Sequence, residues 1–154
     1  MEFFLLIFDD GGYGQTTGEF GHGIINLNNC IKDGKVEFFW ELNVWKKADV
    51  VVAEIYEITK YFPVDERFGL ISQIKRAAIS ITGNIAEGFA RYYFKDKLRF
   101  YYHSRGSLAE VQNYLIVARK QKYVAPEKAQ SLLDELAQIQ ILLNALISSV
   151  AAKV

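Results

Sequence analysis

The sequence predicts an all-α protein folded as an antiparallel up-down-up-down four-helix bundle, and three observations support this prediction. Beyond residue 42, apolar side chains recur at alternating steps of three and four, the spacing of a single buried helix face. The two prolines, Pro63 and Pro126, both fall where this spacing is interrupted. The connections between the periodic segments are only a few residues long. Short connections force consecutive helices to run antiparallel.

The first predicted helix begins near Leu42 and ends at Pro63, because proline lacks an amide hydrogen and disfavours helical geometry in the preceding residue. Its expected inward residues are Val44, Ala48, Val51, Ile55, Ile58 and Phe62. A second helix is predicted over residues 66–90, with Asp65 as its cap. Its expected inward residues are Leu70, Ile74, Ala77, Ile81 and Ile85. Gly83 is the weak point of this helix, since glycine costs about 1 kcal/mol relative to alanine in a helix interior.

A third helix is predicted over residues 96–122. It is expected to direct Tyr101, Leu108, Val111 and Leu115 inward. Pro126 suits the first turn of a fourth helix, where a missing amide hydrogen costs nothing. The expected apolar face of that helix is Ala129, Leu132, Leu136, Ile139, Leu143, Leu146 and Val150. So regular a stripe indicates the seam of a bundle.

Residues 1–38 differ from the rest of the chain in composition and in the spacing of apolar residues. Seven of the eleven glycines fall between residues 9 and 34, and no helical spacing appears there. We therefore expect an atypical, flexible leader over residues 1–38 and a bundle domain over residues 39–154. Charge is segregated as well: residues 1–40 hold six acidic and two basic residues, a net charge of −4, whereas the whole chain has 18 of each sign. The remainder is accordingly basic.

Several functional classes are disfavoured by composition. With one cysteine and two histidines, the chain has no disulfide framework and no zinc-ligand spacing, so neither a metal nor another cofactor is expected. The apolar run at residues 3–8 is too short for a signal-peptide core or a membrane span. No serine or cysteine nucleophile has a base at a recognisable spacing, and a lone histidine such as His103 is more often a surface residue than a general base. We expect a soluble, cytoplasmic, non-enzymatic protein.

A polar stripe on the second predicted helix borders its apolar face. Its members are Gln73, Arg76, Ser80, Asn84, Glu87 and Arg91. Such a stripe is either a solvated flank or a hydrogen-bonded seam inside or between subunits. Glu87 would need a cation if it were buried, and Arg105 on the neighbouring helix is the candidate partner, within a subunit or across an interface.

Basic residues outnumber acidic ones between residues 67 and 105, which makes this region a candidate nucleic-acid surface. The candidate contacts are Lys75, Arg76, Arg91, Lys95, Lys97 and Arg99. Tyr92, Tyr93 and Phe94 lie among these charges and are suited to stacking on unpaired bases. The alternative is that the charges only keep the bundle soluble and the aromatic residues plug its core.

Several segments resemble a known family. They are FWELNVWKKA (39–48), ERFGL (66–70), SQIKRA (72–77), NIAEG (84–88) and RGSLAE (105–110). In order and spacing they are similar to the bacterial four helix bundle proteins known as 23S rRNA intervening-sequence proteins. The resemblance marks Gln73, Ser80, Asn84, Glu87, Gly88 and Arg105 as structural or interface positions. Two positions depart from the family pattern: Thr82-Gly83 replaces a proline and a small residue, and Lys122 replaces a glycine that commonly ends the third helix.

The resemblance implies a left-handed bundle that assembles as an oligomeric ring, typically a pentamer. It also implies a relationship to accessory proteins that partner reverse transcriptases in diversity-generating retroelements and bind nucleic acid. No enzymatic activity is implied. The function predicted from the sequence is thus nucleic-acid binding by a non-enzymatic ring, and the alternative is a protein-protein interaction scaffold with no direct nucleic-acid role.

Overall fold

The computed structural model describes residues 36–154, which fold into four long helices with no strand among them. The helices are α1 (Asn43–Ile58), α2 (Leu70–Ala90), α3 (Phe94–Lys120) and α4 (Pro126–Ala151). The all-α, four-helix prediction is confirmed. Nearly all of the predicted leader lies outside the described residues.

Short 3₁₀ turns replace the helix ends that the sequence predicted around Pro63. α1 ends at Ile58 and is followed by a turn at Thr59–Tyr61, where the Thr59 hydroxyl donates to the Ile55 carbonyl (2.8 Å). A second turn occupies Val64–Arg67, so α2 begins at Leu70 and not at residue 66. The predicted cap, Asp65, is also wrong: the Glu66 carboxylate accepts the Leu70 amide (2.9 Å), because the intervening turn places Glu66 beneath the first turn of α2.

α3 ends two residues earlier than predicted because Lys122 leaves the helical conformation. Its φ is +62°, the left-handed region that usually favours glycine. The Tyr123 amide donates to the Ala118 carbonyl (2.9 Å), and the Lys122 amide donates to that of Arg119 (3.0 Å). This pair of bonds is a Schellman motif. The helix stop is therefore the one associated with glycine, formed here around a lysine.

The core lies on the predicted apolar faces. The largest fully buried side chains are Tyr101, Ile55, Ile74, Ile81, Ile85, Leu108, Leu115, Leu132, Leu136, Ile139, Leu143 and Val51. On α4 Ile147 is buried in place of the predicted Leu146, which packs only partly against the core. The predicted stripe is correct on that helix except at this position.

Each helix packs against two neighbours, with α1 contacting both α2 and α4, and α3 contacting both α2 and α4. Ser104 of α3 bonds to Ile81 of α2, whereas Lys97, earlier in α3, bonds to Phe89, later in α2. The α2–α3 pair therefore runs antiparallel. Lys47 bonds to Gln138, and Glu54, later in α1, pairs with the earlier Lys128 of α4. That pair is antiparallel too. The complete up-down-up-down order and the left-handed sense stay predictions.

Candidate nucleic-acid interface

The connection between α2 and α3 presents aromatic side chains to solvent. Tyr92 is 87% exposed, Tyr93 is also exposed, and their rings meet edge to face with centroids 5.1 Å apart. Phe94 begins α3 and is partly exposed. The alternative interpretation, in which these aromatic residues plug the core, is wrong, because the core at this end is filled by Tyr101.

Gly88 is the reason that α2 and α3 approach so closely beside this connection. A Cβ atom at Gly88 would lie 2.6 Å from Cε1 of Tyr101 and 3.2 Å from the Lys97 carbonyl oxygen. The Tyr101 ring is buried, and burial raises the pKa of its hydroxyl to about 12. A glycine that the resemblance marked only as a signature position thus provides the space for the largest core side chain.

Lys97, one of the predicted nucleic-acid contacts, is directed toward its own chain. Its Nζ donates to the Phe89 carbonyl (2.6 Å) and lies 5.6 Å from the centroid of the Phe89 ring. Desolvation lowers the pKa of this ammonium group. A cation at this position satisfies a carbonyl that the end of α2 leaves without a helical partner. Lys97 therefore stabilises the end of α2, and its ammonium group is less available to a ligand.

Three other predicted contacts surround the connection. Arg91 pairs with Glu87 and lies over the Phe100 ring, 4.5 Å from its centroid. Lys95 and Arg99 are exposed on α3, one helical turn apart, so they share a face.

Lys153, which sequence reasoning missed, joins this group from the end of α4. Its Nζ lies 5.8 Å from the centroid of the Phe94 ring, and together they help to line a shallow cavity of about 400 Å³. The signal that could have found it was the predicted up-down-up-down order, which places the end of α4 beside the start of α3. We call Arg91, Lys95, Arg99 and Lys153, with Tyr92 and Tyr93, the basic end of the bundle.

Lys75 and Arg76 do not belong to the basic end. Lys75 lies over the Tyr56 ring of α1, 4.8 Å from its centroid, and Arg76 donates to Gln73 Oε1 (2.8 Å). Arg76 precedes Arg91 by four helical turns, a separation of about 22 Å along the axis. The six predicted contacts therefore form two groups that one short ligand would not span.

The polar stripe of α2 contributes to a hydrogen-bonded seam with α3 within one chain. The Asn84 amide donates to the carbonyl (2.7 Å) and hydroxyl (2.9 Å) oxygens of Ser80, and the Ser107 hydroxyl donates to Ser80 Oγ (2.9 Å). The fully buried Ser104 donates to the Ile81 carbonyl (2.9 Å). Ser104 was missed by sequence reasoning, although its position between Tyr101 and Leu108 falls on the apolar face.

Glu87 does not pair with Arg105 within the chain. It is half exposed and pairs with Arg91 one turn later, while Arg105 lies over the Tyr102 ring, 4.9 Å from its centroid. The reason is geometric: the i,i+4 spacing on α2 supplies a nearer cation, and Arg105 faces outward. A pairing between subunits stays a prediction.

Two negative findings apply to residues 36–154. No three histidine, cysteine, aspartate or glutamate side chains in this part are grouped to hold a metal ion. No helix within it has the length and apolar character needed to cross a membrane.

Comparison with known proteins identifies the family. The model of the 23S rRNA-intervening sequence protein family matches residues 40–145. A crystal structure of a protein of unknown function from the S23 ribosomal protein family of Bacteroides thetaiotaomicron is similar, with a TM-score of 0.62 and 24% sequence identity. The alignment covers 68% of this chain and 97% of that one, and at this identity it supports the fold alone. No curated protein matches the chain significantly. Four helices, the shared motifs and the family match over most of the bundle lead to one conclusion: the chain belongs to the 23S rRNA-intervening sequence protein family.

Proposed function

We propose that the protein is a non-enzymatic, cytoplasmic helical bundle that assembles as a homopentameric ring and binds single-stranded nucleic acid through its basic end. In the form that the family resemblance implies, it acts as an accessory to a larger nucleic-acid enzyme such as a reverse transcriptase. The observation that carries the proposal is the gathering of cations from α2, α3 and α4 around exposed tyrosine rings.

The chemistry of this end suits a phosphate backbone with accessible bases. Lys95 and Arg99 are exposed and have no ion pair within the described residues, so their charges are available to phosphates. Tyr92 and Tyr93 offer ring faces on which bases can stack at any sequence. Asp96 and Glu87 are the acidic side chains nearby. Because Glu87 pairs with Arg91, the unpaired positive charges of the basic end are those of Lys95, Arg99 and Lys153 within the described residues.

Assembly into a ring would strengthen this modest patch. A few phosphate contacts per chain bind weakly, but linked copies present them at high effective concentration. The proposed pentamer thus turns a small local excess of positive charge into a strong polyvalent surface.

The test is a titration of labelled single-stranded RNA with the full-length protein at low and moderate salt. A basic-end variant carries Lys95→Gln, Arg99→Gln and Lys153→Gln. A matched control carries Lys75→Gln, Arg76→Gln and Lys120→Gln, which removes the same charge elsewhere. We expect the basic-end variant to bind roughly tenfold or more weakly, with a salt slope reduced by about two, while the control retains most of the affinity.

Equal losses in the two variants would indicate diffuse attraction to the whole surface and would contradict a site at the basic end. If the wild-type protein binds no RNA or single-stranded DNA even at low salt, the nucleic-acid function is wrong. Circular dichroism checks that both variants remain helical.

One observation favours the alternative function, a protein-protein interaction scaffold. Phe68 is 89% exposed at the α1–α2 connection, with the exposed Val64 and Tyr61 beside it in sequence. Adjacent exposed apolar side chains of this size often mark protein contacts. Intact assembly without any nucleic-acid binding would support this function over the first.

A further inference from the structure

Phe38 and Trp40 form an exposed aromatic pair at the start of the described chain. Their rings stack with centroids 4.5 Å apart and an interplanar angle of 6°, yet Phe38 is 45% and Trp40 47% exposed. Each ring covers one face of the other. Because large aromatic side chains usually bury most of their surface, a stack that remains so exposed is a feature to explain.

Hydrogen bonds and ring contacts hold the turn that carries this pair. The Glu41 carboxylate accepts the amides of Glu37 (2.9 Å) and Phe38 (3.1 Å), which closes the turn at Phe39–Glu41. The Phe39 ring is steeply inclined to the rings of Trp40 (centroids 5.0 Å apart) and Trp45 (centroids 5.4 Å apart), and Trp45 packs against the core. A ligand that stacks on the pair therefore pays little to order it.

The register of α1 against α2 indicates that the pair lies at the same end of the bundle as the basic end. The turn at Phe39–Glu41 contacts α2. Tyr56 of α1 faces Lys75 of α2. In the predicted up-down-up-down order α1 and α2 run antiparallel. Trp40 lies 16 residues before Tyr56, and the residue 16 positions after Lys75 is Arg91. Trp40 thus lies at about the level where the basic end begins.

Charge and shape together restrict what would bind here. The pair itself has no cation, and Glu37 is exposed beside it, so an isolated phosphate is not favoured at this point. A flat, uncharged ring is favoured, provided that it is attached to phosphates that reach Arg91 and the cations beyond it. An unpaired nucleobase has these properties, whereas a base inside a duplex presents no free face.

We propose that the Phe38–Trp40 pair is a stacking platform for an unpaired base, and that a single strand runs from it to the basic end. This inference rests on the proposed function for the phosphate contacts, but it adds a distinct base-binding point. It also makes unpaired bases the preferred ligand over duplex. RNA and DNA share the required chemistry.

Trp40 can report its own contact with a base. The chain has two tryptophans, so Trp45→Phe leaves Trp40 as the sole indole. In the full-length Trp45→Phe protein we expect Trp40 emission to be quenched by ten-nucleotide oligouridylate or oligothymidylate and not by a duplex of equal length. The two oligonucleotides separate RNA from DNA as the preferred strand.

Affinity supplies the second readout. In the otherwise wild-type chain, Trp40→Leu should weaken single-strand binding, measured by fluorescence anisotropy, roughly 5- to 150-fold, the range expected for one stacked base. Trp40→Phe should restore most of the loss because it keeps an aromatic face. The matched control is Tyr61→Leu, which removes another exposed aromatic ring at the α1–α2 connection and should leave the affinity unchanged.

The failures of the two proposals are distinguishable. Suppose that binding depends on salt but Trp40 emission is not quenched, or that the Trp40→Leu variant binds as tightly as wild type. Either result overturns the stacking platform and still supports binding at the basic end. Equal quenching by duplex also overturns it. If acrylamide fails to quench Trp40 emission in the free protein, the proposal is overturned as well, since the pair would then be covered by residues 1–35 or by another copy. Absence of all binding at low salt removes both proposals.

Discussion

At the scale of single residues, Gly88 decides how closely α2 and α3 pack. The ring that an added methyl group would meet belongs to the buried Tyr101 and is held by core side chains, so it has little room to move. We expect Gly88→Ala to lower the free energy of unfolding by about 1–3 kcal/mol, the usual cost of overpacking. Chemical denaturation followed by circular dichroism measures this. Unchanged or higher stability would show that the interface can relax around the methyl group.

Lys122 is the opposite case, a residue whose replacement by glycine should help. A lysine in the left-handed region carries a steric cost that glycine lacks, and the Schellman hydrogen bonds are already in place. We expect Lys122→Gly to raise the free energy of unfolding by about 1 kcal/mol, or the melting temperature by roughly 3 °C. Thermal melts beside Lys120→Gly test this. That control places glycine at the last residue of α3, where helical geometry gives glycine no advantage and the change should destabilise the protein. Loss of stability in Lys122→Gly would contradict the helix stop described above.

Tyr101 should make the fold sensitive to alkaline pH. Its folded pKa is raised to about 12 from an ordinary value of 10.0, so between these values the folded state keeps a proton that the unfolded state loses. The stability contribution is therefore complete below pH 10 and is lost as pH rises towards 12. Tyr101→Phe should abolish this part of the decline, which amounts to at most about 3 kcal/mol. Urea midpoints of both proteins at pH 9 and pH 11 give the difference. Equal losses of stability in the two proteins between pH 9 and pH 11 would contradict a role for Tyr101.

At the scale of the elements, the outer surfaces of α2 and α3 each carry a glycine without a local reason. A Cβ atom at Gly83 or Gly106 would meet nothing within 4 Å. We expect Gly83→Ala and Gly106→Ala each to stabilise the chain by up to about 1 kcal/mol, since alanine is the better helix former. Gly83→Ala is also the matched control for Gly88→Ala, because both changes add one methyl group to α2.

Thermal melts of the two variants, recorded at several protein concentrations, test this expectation. Destabilisation that grows with concentration would contradict it and would place a neighbouring copy against these glycines. In that event the open helix surface of the single chain would be the subunit interface of the ring.

At the scale of the whole molecule, the proposed pentamer sets the strength of any binding. We expect native mass spectrometry of the 17.6 kDa chain to give a species of five copies, because the family resemblance implies a ring of that size. A monomer at micromolar concentration would contradict the polyvalent surface, and single-chain affinity would then have to come from the basic end alone.

The four helices, most of their buried faces and the family could be predicted from the amino-acid sequence. These features depend on local spacing: a three-four rhythm sets a helix face, and the two prolines lie beside or at helix boundaries. Leu70, Ile74, Ile81 and Ile85 could be placed on one face without any knowledge of their partners. The family pattern also indicated a helix stop at Lys122, where a glycine commonly stands.

The contacts of the polar and charged groups, in contrast, depend on how the helices pack together. Glu87 pairs with Arg91 and not with Arg105. The Lys97 ammonium group donates to a carbonyl at the end of α2, and Lys153, near the C-terminus, lies over the Phe94 ring. Helical spacing gives the side on which a residue lies but not which neighbour from another helix reaches it. Contacts between helices depend on the offset of one helix along the axis of the next, and on how closely Gly88 lets α2 and α3 approach. Both are properties of the packed helices. The sequence therefore predicted the region of the candidate site and most of its residues, but it did not reveal Lys153 or the separate contacts of Lys75, Arg76 and Lys97.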